Sequence, residues 1–153
     1  MAKPEAFQKI MSWKGDWEAK ITTKMGDQTS TGTDHVSWMV ASDGNGMLMK
    51  QWMDSPKGGK YQATHLVGYN MGDKRVHWFI VDNMGQCQDQ MVEMVGDNHI
   101  RLTGAGMMDG KPTQATSDLL IKDMNTVDFN QVVTMDGKTA QTMMGTYMRK
   151  MAK

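Results

Sequence analysis

The feature that most limits what this chain can become is the regularity of its breaks. "MGDQ", "SDGNG", "SPKGG", "NMGD", "NMG", "GDN", "MMDGKP" and "MDGK" interrupt it at short, even intervals. Gly, Asp and Asn supply positive φ and local turn hydrogen bonds, so each break reads as a hairpin. The runs between them predict strands over 16–24, 31–41, 47–54, 60–70 and 74–82, and again over 86–95, 98–104, 113–122, 125–134 and 139–150. One helix precedes them, in "KPEAFQKIM", where Phe7, Ile10 and Met11 share a face. Short strands without a long crossover describe an all-β, antiparallel, up-and-down meander, and closing ten of them into a barrel removes the exposed edges. At 153 residues, with no linker or repeat, the chain is expected to form a single domain over 1–153.

Alternation assigns an inside and an outside. Trp17, Ala19 and Ile21 alternate with Glu18, Lys20 and Thr22; Val36, Trp38 and Val40 with His35 and Ser37; Val76, Trp78 and Ile80 with Arg75 and His77. The first member of each set is expected to face the lumen. Strand three resists this reading, because Met47, Met49 and Met53 lie on one face while Leu48 and Trp52 lie on the other. Inward Trp17, Trp38 and Trp78 would give a cavity with flat apolar walls, the usual makeup of a small-molecule site in a barrel mouth. The competing reading is that they only fill a solid core.

Seventeen basic side chains balance seventeen acidic ones, scattered rather than blocked, which argues against a nucleic-acid partner. No apolar run approaches the ~20 residues of a membrane-spanning helix. Cys87 stands alone and forms no internal disulfide. The first residues lack an apolar leader, which places the protein in the cytoplasm, or in the periplasm if a signal peptide has been removed. Nineteen methionines stand against five Leu and five Ile, so an adaptable thioether does much of the apolar work.

Several segments together resemble an uncharacterised bacterial family of calycin-like, lipocalin-like barrels, a domain of unknown function. They are the Trp-x-Gly-x-Trp opening at Trp13, Gly15 and Trp17, Gly68 to Asn70, Trp78 and Asp82, and the Gly-Thr-Tyr-x-Arg-Lys ending at Gly145 to Lys150. The similarity runs from Phe7 to Lys150 and implies a fold, not an activity. It also inclines the expectation toward a homodimer. More distantly the pattern is similar to fatty-acid-binding proteins, lipocalins and nitrobindins. In the first of these an Arg and a Tyr of the final strand hold the ligand carboxylate, which makes Tyr147 and Arg149 candidates here, against the alternative that Arg149 is a solvated strand end. Nitrobindins ligate haem through a C-terminal histidine, whereas this chain carries Tyr147 and Met148 in that region, so no cofactor is implied.

Other constellations carry less. Thioethers suit Cu(I), and Met47, Met49 and Met148 are the alternative soft-metal set. Against it, Met143 and Met144 lie on opposite faces of the closing strand, and Met25, Met71, Met108 and Met135 sit in or beside turns. His65 and His77, on adjacent strands, read as an exposed pair; Asp82 and Asp89 could pair without catalytic meaning. No nucleophile elbow, phosphate loop or metalloprotease motif occurs, so no enzyme is expected. The leading expectation is non-enzymatic binding of a small apolar or amphipathic molecule in the lumen. The alternatives are an interaction module acting through its Met-rich surface, and Cu(I) binding or oxidant scavenging by thioethers.

Overall fold

The computed structural model describes residues 2–54 and 59–151; the expected turn "SPKGG" falls largely outside them. The order is α1 (Glu5–Met11), β1 (Gly15–Met25), β2 (Gln28–Ala41), β3 (Gly46–Asp54), β4 (Lys60–Asn70), β5 (Arg75–Asp82), β6 (Cys87–Gly96), β7 (His99–Met108), β8 (Lys111–Asp123), β9 (Thr126–Met135) and β10 (Lys138–Arg149). A 3₁₀ turn, Ser42–Gly44, joins β2 to β3. Each strand pairs antiparallel with its sequence neighbours, and β1 pairs with β10, which closes a ten-stranded up-and-down barrel. This is the closed antiparallel meander that the turn spacing implies, and it agrees with the calycin-like fold that the resemblance implies.

The tight turns follow their chemistry. Asp109–Gly110 and Asp136–Gly137 have positive φ at both residues (51° and 75°; 53° and 72°), a backbone twist that matches the flanking strands. The first of these turns lies inside the expected break "MMDGKP", but the strands on either side run closer to it than the sequence suggests. β7 runs to Met108 instead of ending near residue 104, and β8 starts at Lys111, with Pro112 paired to Met107. Gly104 and Gly106 hid the strand by weakening its signature. Their reason is steric: a Cβ at Gly104 would sit 2.8 Å from Gln90 Cγ, and one at Gly106 would sit 2.6 Å from Gln88 Nε2. Two inward glutamines of β6 lie over two bare backbone positions of β7.

Inward residues follow the alternation on β1, β2 and β5, with Trp17, Ala19, Ile21, Val36, Trp38, Val76 and Trp78 buried. Val40 has inward parity but lies at the rim, 42% exposed. On β3, Met47 and Met49 are inward and buried. Register explains why that strand was ambiguous: Met39, Leu48, Leu66 and Phe79 are direct cross-strand partners, an apolar row on the outer wall.

α1 plugs one end, with Ala6, Phe7 and Ile10 buried against the core. Trp17 Nε1 donates to the Trp13 carbonyl at 2.8 Å, fixing the chain between helix and barrel. Arg149 completes this closed end. Its guanidinium donates to the carbonyls of Ser12 (2.8 Å), Met124 (3.0 Å) and Lys14, and its Nε to Asn125 Oδ1 (3.1 Å). It also lies over the Trp17 ring at 4.4 Å. One side chain thus ties the helix linker, the β8–β9 turn and β1 to the last strand.

At the seam, β10 approaches β1 closely at Gly145, where a Cβ would meet the Lys20 carbonyl at 2.5 Å and Ile21 Cδ1 at 2.6 Å. Gly145→Ala is expected to cost about 1–3 kcal/mol through forced overpacking, read as a lower urea midpoint with an unchanged slope. Arg149→Ala should lose about 2–4 kcal/mol, and Arg149→Lys most of that, because a point charge cannot serve three carbonyls on two segments at once. Arg149→Lys at wild-type stability would show that the fork is dispensable.

Candidate functional site

The lumen is hollow and divided. An inner chamber of about 140 Å³ lies beneath the helix-capped end, and a wider mouth of about 420 Å³ opens at the other. One ordered water needs roughly 10–15 Å³ on this measure, so the inner chamber exceeds a packing defect by about tenfold. A barrel filled solid by its aromatics, the competing expectation, is not what forms. Gln51 and Gln131 border both spaces and form the constriction between them.

The chamber walls are aromatic. Trp38 meets Trp78 edge to face (5.3 Å, 84°) and Trp13 at a tilt (5.9 Å, 57°). Phe129 meets Tyr147 edge to face at 6.1 Å. Edge-to-face pairs are a preferred arrangement of ring quadrupoles, and they hold the ring planes apart instead of collapsing them into a stack. Trp17, Met49, Leu102, Leu119 and Val127 fill out the surface.

Across the middle of the barrel runs a polar belt joined by hydrogen bonds. Trp78 Nε1 donates to His65 Nδ1 at 2.7 Å. That nitrogen is therefore the unprotonated one, so His65 Nε2 carries the proton and donates to Gln51 Oε1, also at 2.7 Å. Gln51 Nε2 passes the chain to Asp34 Oδ2 at 2.9 Å, and the Tyr147 hydroxyl donates to the same oxygen. On the opposite wall Gln131 Nε2 donates to Ser117 Oγ at 3.0 Å, and Gln90 Nε2 to Gln88 Oε1 at 3.2 Å.

Burial dominates the electrostatics. It lowers the His65 pKa to about 4, so the imidazole is neutral at physiological pH. It raises the Asp34 pKa, opposed by the hydrogen bonds from Tyr147 and Gln51 and by the nearby His35. It also raises Tyr147, helped by the adjacent Asp34 carboxylate. Asp34 is 1% exposed, and its Oδ1 has no hydrogen-bond partner among the described residues. An unsatisfied buried acceptor costs about 1–3 kcal/mol, so this belt is not arranged for stability alone.

The sequence-derived candidates divide accordingly. Trp17, Trp38, Trp78 and Tyr147 all border the inner chamber. Arg149 does not. It shares a strand face with Tyr147 but sits beyond the chamber at the closed end, its guanidinium spent on carbonyls, so the Arg–Tyr carboxylate clamp is not assembled. Nor do Met47, Met49 and Met148 converge. The first two are buried inside, while Met148 is 59% exposed on the outer wall, because the alternation of β10 turns it outward with Met144. His65 and His77 are not an exposed pair. His65 faces the lumen, and His77 lies outside between Asp73 (2.7 Å) and Asp89 (3.0 Å). Asp82 accepts from Tyr61 at 3.3 Å and is not the partner of Asp89.

Asp34, Gln51, His65, Gln90, Ser117 and Gln131 were missed as a set. The available signal was polarity at inward parity: Asp34 two positions before Val36, His65 between Ala63 and Val67, Gln90 two before Val92. No helix among the described residues is long and apolar enough to cross a membrane, and no cluster of three or more His, Cys, Asp or Glu among them could hold a metal.

No protein-family profile and no curated protein matches the chain. Solved structures do. The barrel is similar to Rv2717c from M. tuberculosis, with a TM-score of 0.65 at 10% identity over 98% of this chain and 100% of that one. It is similar as well to the S-type phycobiliprotein lyase CPES from Guillardia theta, with a TM-score of 0.64 at 8% identity over 95% of this chain and 93% of that one. At these identities the likeness is one of fold: this chain is built as a calycin-like, lipocalin-type barrel over nearly its whole length.

Proposed function

We propose that the protein is a binding protein that holds a small apolar or amphipathic molecule in the inner chamber of its barrel. The observation that carries this reading is a hollow, aromatic-walled chamber bordered by a connected belt of polar groups. A chain selected only for stability would gain by filling the space and replacing the belt with aliphatic side chains. A ligand explains both features, since apolar walls supply affinity while a few placed polar groups fix orientation.

No chemistry is required of the belt. His65 is positioned by Trp78 and Gln51 and is neutral, and among the described residues no nucleophile or carboxylate is hydrogen-bonded to it. The methionines at the mouth, Met53, Met84, Met107, Met108 and Met143, would then act as an adaptable apolar lip past which ligands of differing outline can slide.

Native mass spectrometry of the protein purified from its own host, compared with the same sample after denaturation, is expected to show an added mass lost on unfolding. Ser117→Phe, which fills the chamber, should remove that mass while leaving the circular dichroism of the barrel intact. Wild-type protein at its bare chain mass, unresponsive in thermal melts to small apolar compounds, would sink the proposal.

A second measurement concerns the belt itself. Because the folded-state pKa of His65 is depressed from 6.5 to about 4, His65 contributes stability that is present above pH 6.5 and lost as pH falls toward 4. Imidazole NMR signals of His65 should remain those of the neutral Nε2–H tautomer from pH 8 to about 5. A midpoint near 6.5 would mean that the histidine is solvated and the belt open.

A further inference from the structure

The charge pattern of the lumen narrows the ligand beyond its being small and greasy. No Lys or Arg among the described residues borders the inner chamber. Among the described residues, the ionisable groups that face it or stand behind its polar belt are His65, neutral by burial, Tyr147, whose hydroxyl hydrogen is given to Asp34, and Asp34 itself. Toward the mouth the described lining adds Tyr61, Asp54 and Asp82, again without a cation. Arg149 lies outside the Trp17 wall of the chamber, over that ring at 4.4 Å, and its guanidinium is occupied by backbone carbonyls.

An anionic ligand would therefore give up its hydration with no positive partner, close to a carboxylate whose Oδ1 is already uncompensated. A cationic ligand fares little better inside, because Asp34 is sealed from the chamber by its own partners and the walls are apolar. An uncharged polar edge, in contrast, finds free valences. Ser117 accepts from Gln131 and keeps its own O–H to donate; Gln131 keeps its carbonyl oxygen; Gln51 keeps one N–H beyond the one given to Asp34. Ser117 and Gln131, on β8 and β9, lie across the barrel from the edge-to-face Trp38–Trp78 pair, whose rings offer a surface for a ligand ring, while Gln51 borders the same space from β3.

We propose that the inner chamber selects a flat, uncharged ring compound bearing a hydroxyl or amide-like edge, and that it rejects carboxylates. This rests on the reading of the barrel as a ligand-binding protein and adds to it the class of ligand. It is also the opposite of what a Tyr147–Arg149 carboxylate clamp would produce.

The test uses a matched pair, 2-naphthalenemethanol and 2-naphthoate, which share a ring and differ in charge. Each is titrated into the full chain at pH 7.5, following the indole N–H signals of Trp38 and Trp78 by NMR, so that binding is read inside the chamber. The alcohol is expected to shift both signals and to bind at least tenfold more tightly than the carboxylate. Ser117→Phe should abolish those shifts; if that variant does not fold, Leu102→Trp serves as the alternative filler. Carboxylate binding as tight as the alcohol, at the same signals, overturns the charge selectivity and leaves the binding function standing. Shifts from neither compound would overturn the binding reading itself, and shifts that persist in a folded chamber-filling variant would place the compound outside the chamber and overturn the assignment of the site.

Discussion

The pairing of β1 with β10 is the constraint on which everything else depends. Among the described residues it is the only strand pairing made by elements far apart in sequence, and without it both edge strands would present open hydrogen-bonding groups and the lumen would be a groove. The chain secures it in two ways. Gly145 lets the two backbones approach at a point where any side chain would strike Lys20 and Ile21. Arg149, at the end of the same strand, then fastens the seam to the helix linker and the β8–β9 turn through carbonyls that would otherwise lack a partner. The closed end is thus held by polar bonds from one guanidinium as much as by the apolar plug of Phe7 and Ile10.

Once closed, the barrel is filled unevenly. Beneath the helix plug the aromatic and aliphatic side chains wall the inner chamber, and the middle is given over to side chains that satisfy one another: Trp78 to His65, His65 to Gln51, Gln51 and Tyr147 to Asp34. Such a network is stable only when its members are satisfied, and the unpartnered Asp34 Oδ1 shows that this one falls a bond short. Room for the glutamines comes from the facing strand, where Gly104 and Gly106 give up their side chains. The space and the polarity are therefore linked features of β6 and β7.

Much of the architecture was legible in the sequence because a meander writes itself locally. Asp-Gly turns and alternating runs gave the strands, and Trp17, Trp38 and Trp78 were placed inward by parity alone. Three things were not legible, each for a physical reason. The face of β3 was obscured by Leu48 and Trp52, which are apolar on the outside: Leu48 joins Met39 and Leu66 in an outer apolar row, and Trp52 stacks on His35 across the strand pair. The second half of β7 was hidden by glycines whose purpose lies on another strand. The fate of Arg149 could not be read because alternation says which side of a sheet a residue occupies, not how far along the barrel it sits or which carbonyls wait there. The belt escaped for a related reason: a single inward polar residue looks like an interruption until its partners on other strands are known.

The order of the strands also has a temporal meaning. Every pairing from β1–β2 through β9–β10 joins neighbours across a short turn, so nine hairpin contacts can form at low cost in chain entropy, in any sequence, before the ends meet. Joining the ends is different in kind, since it closes a loop of nearly the full chain and is rewarded only when Gly145 and Arg149 are both in place. Seam closure is then the slow, late event in folding, and a chain halted before it would be a curved open sheet with two sticky edges and an exposed tryptophan face. In such a protein the last strand does more than complete the wall: it decides how long the molecule spends in its most aggregation-prone form.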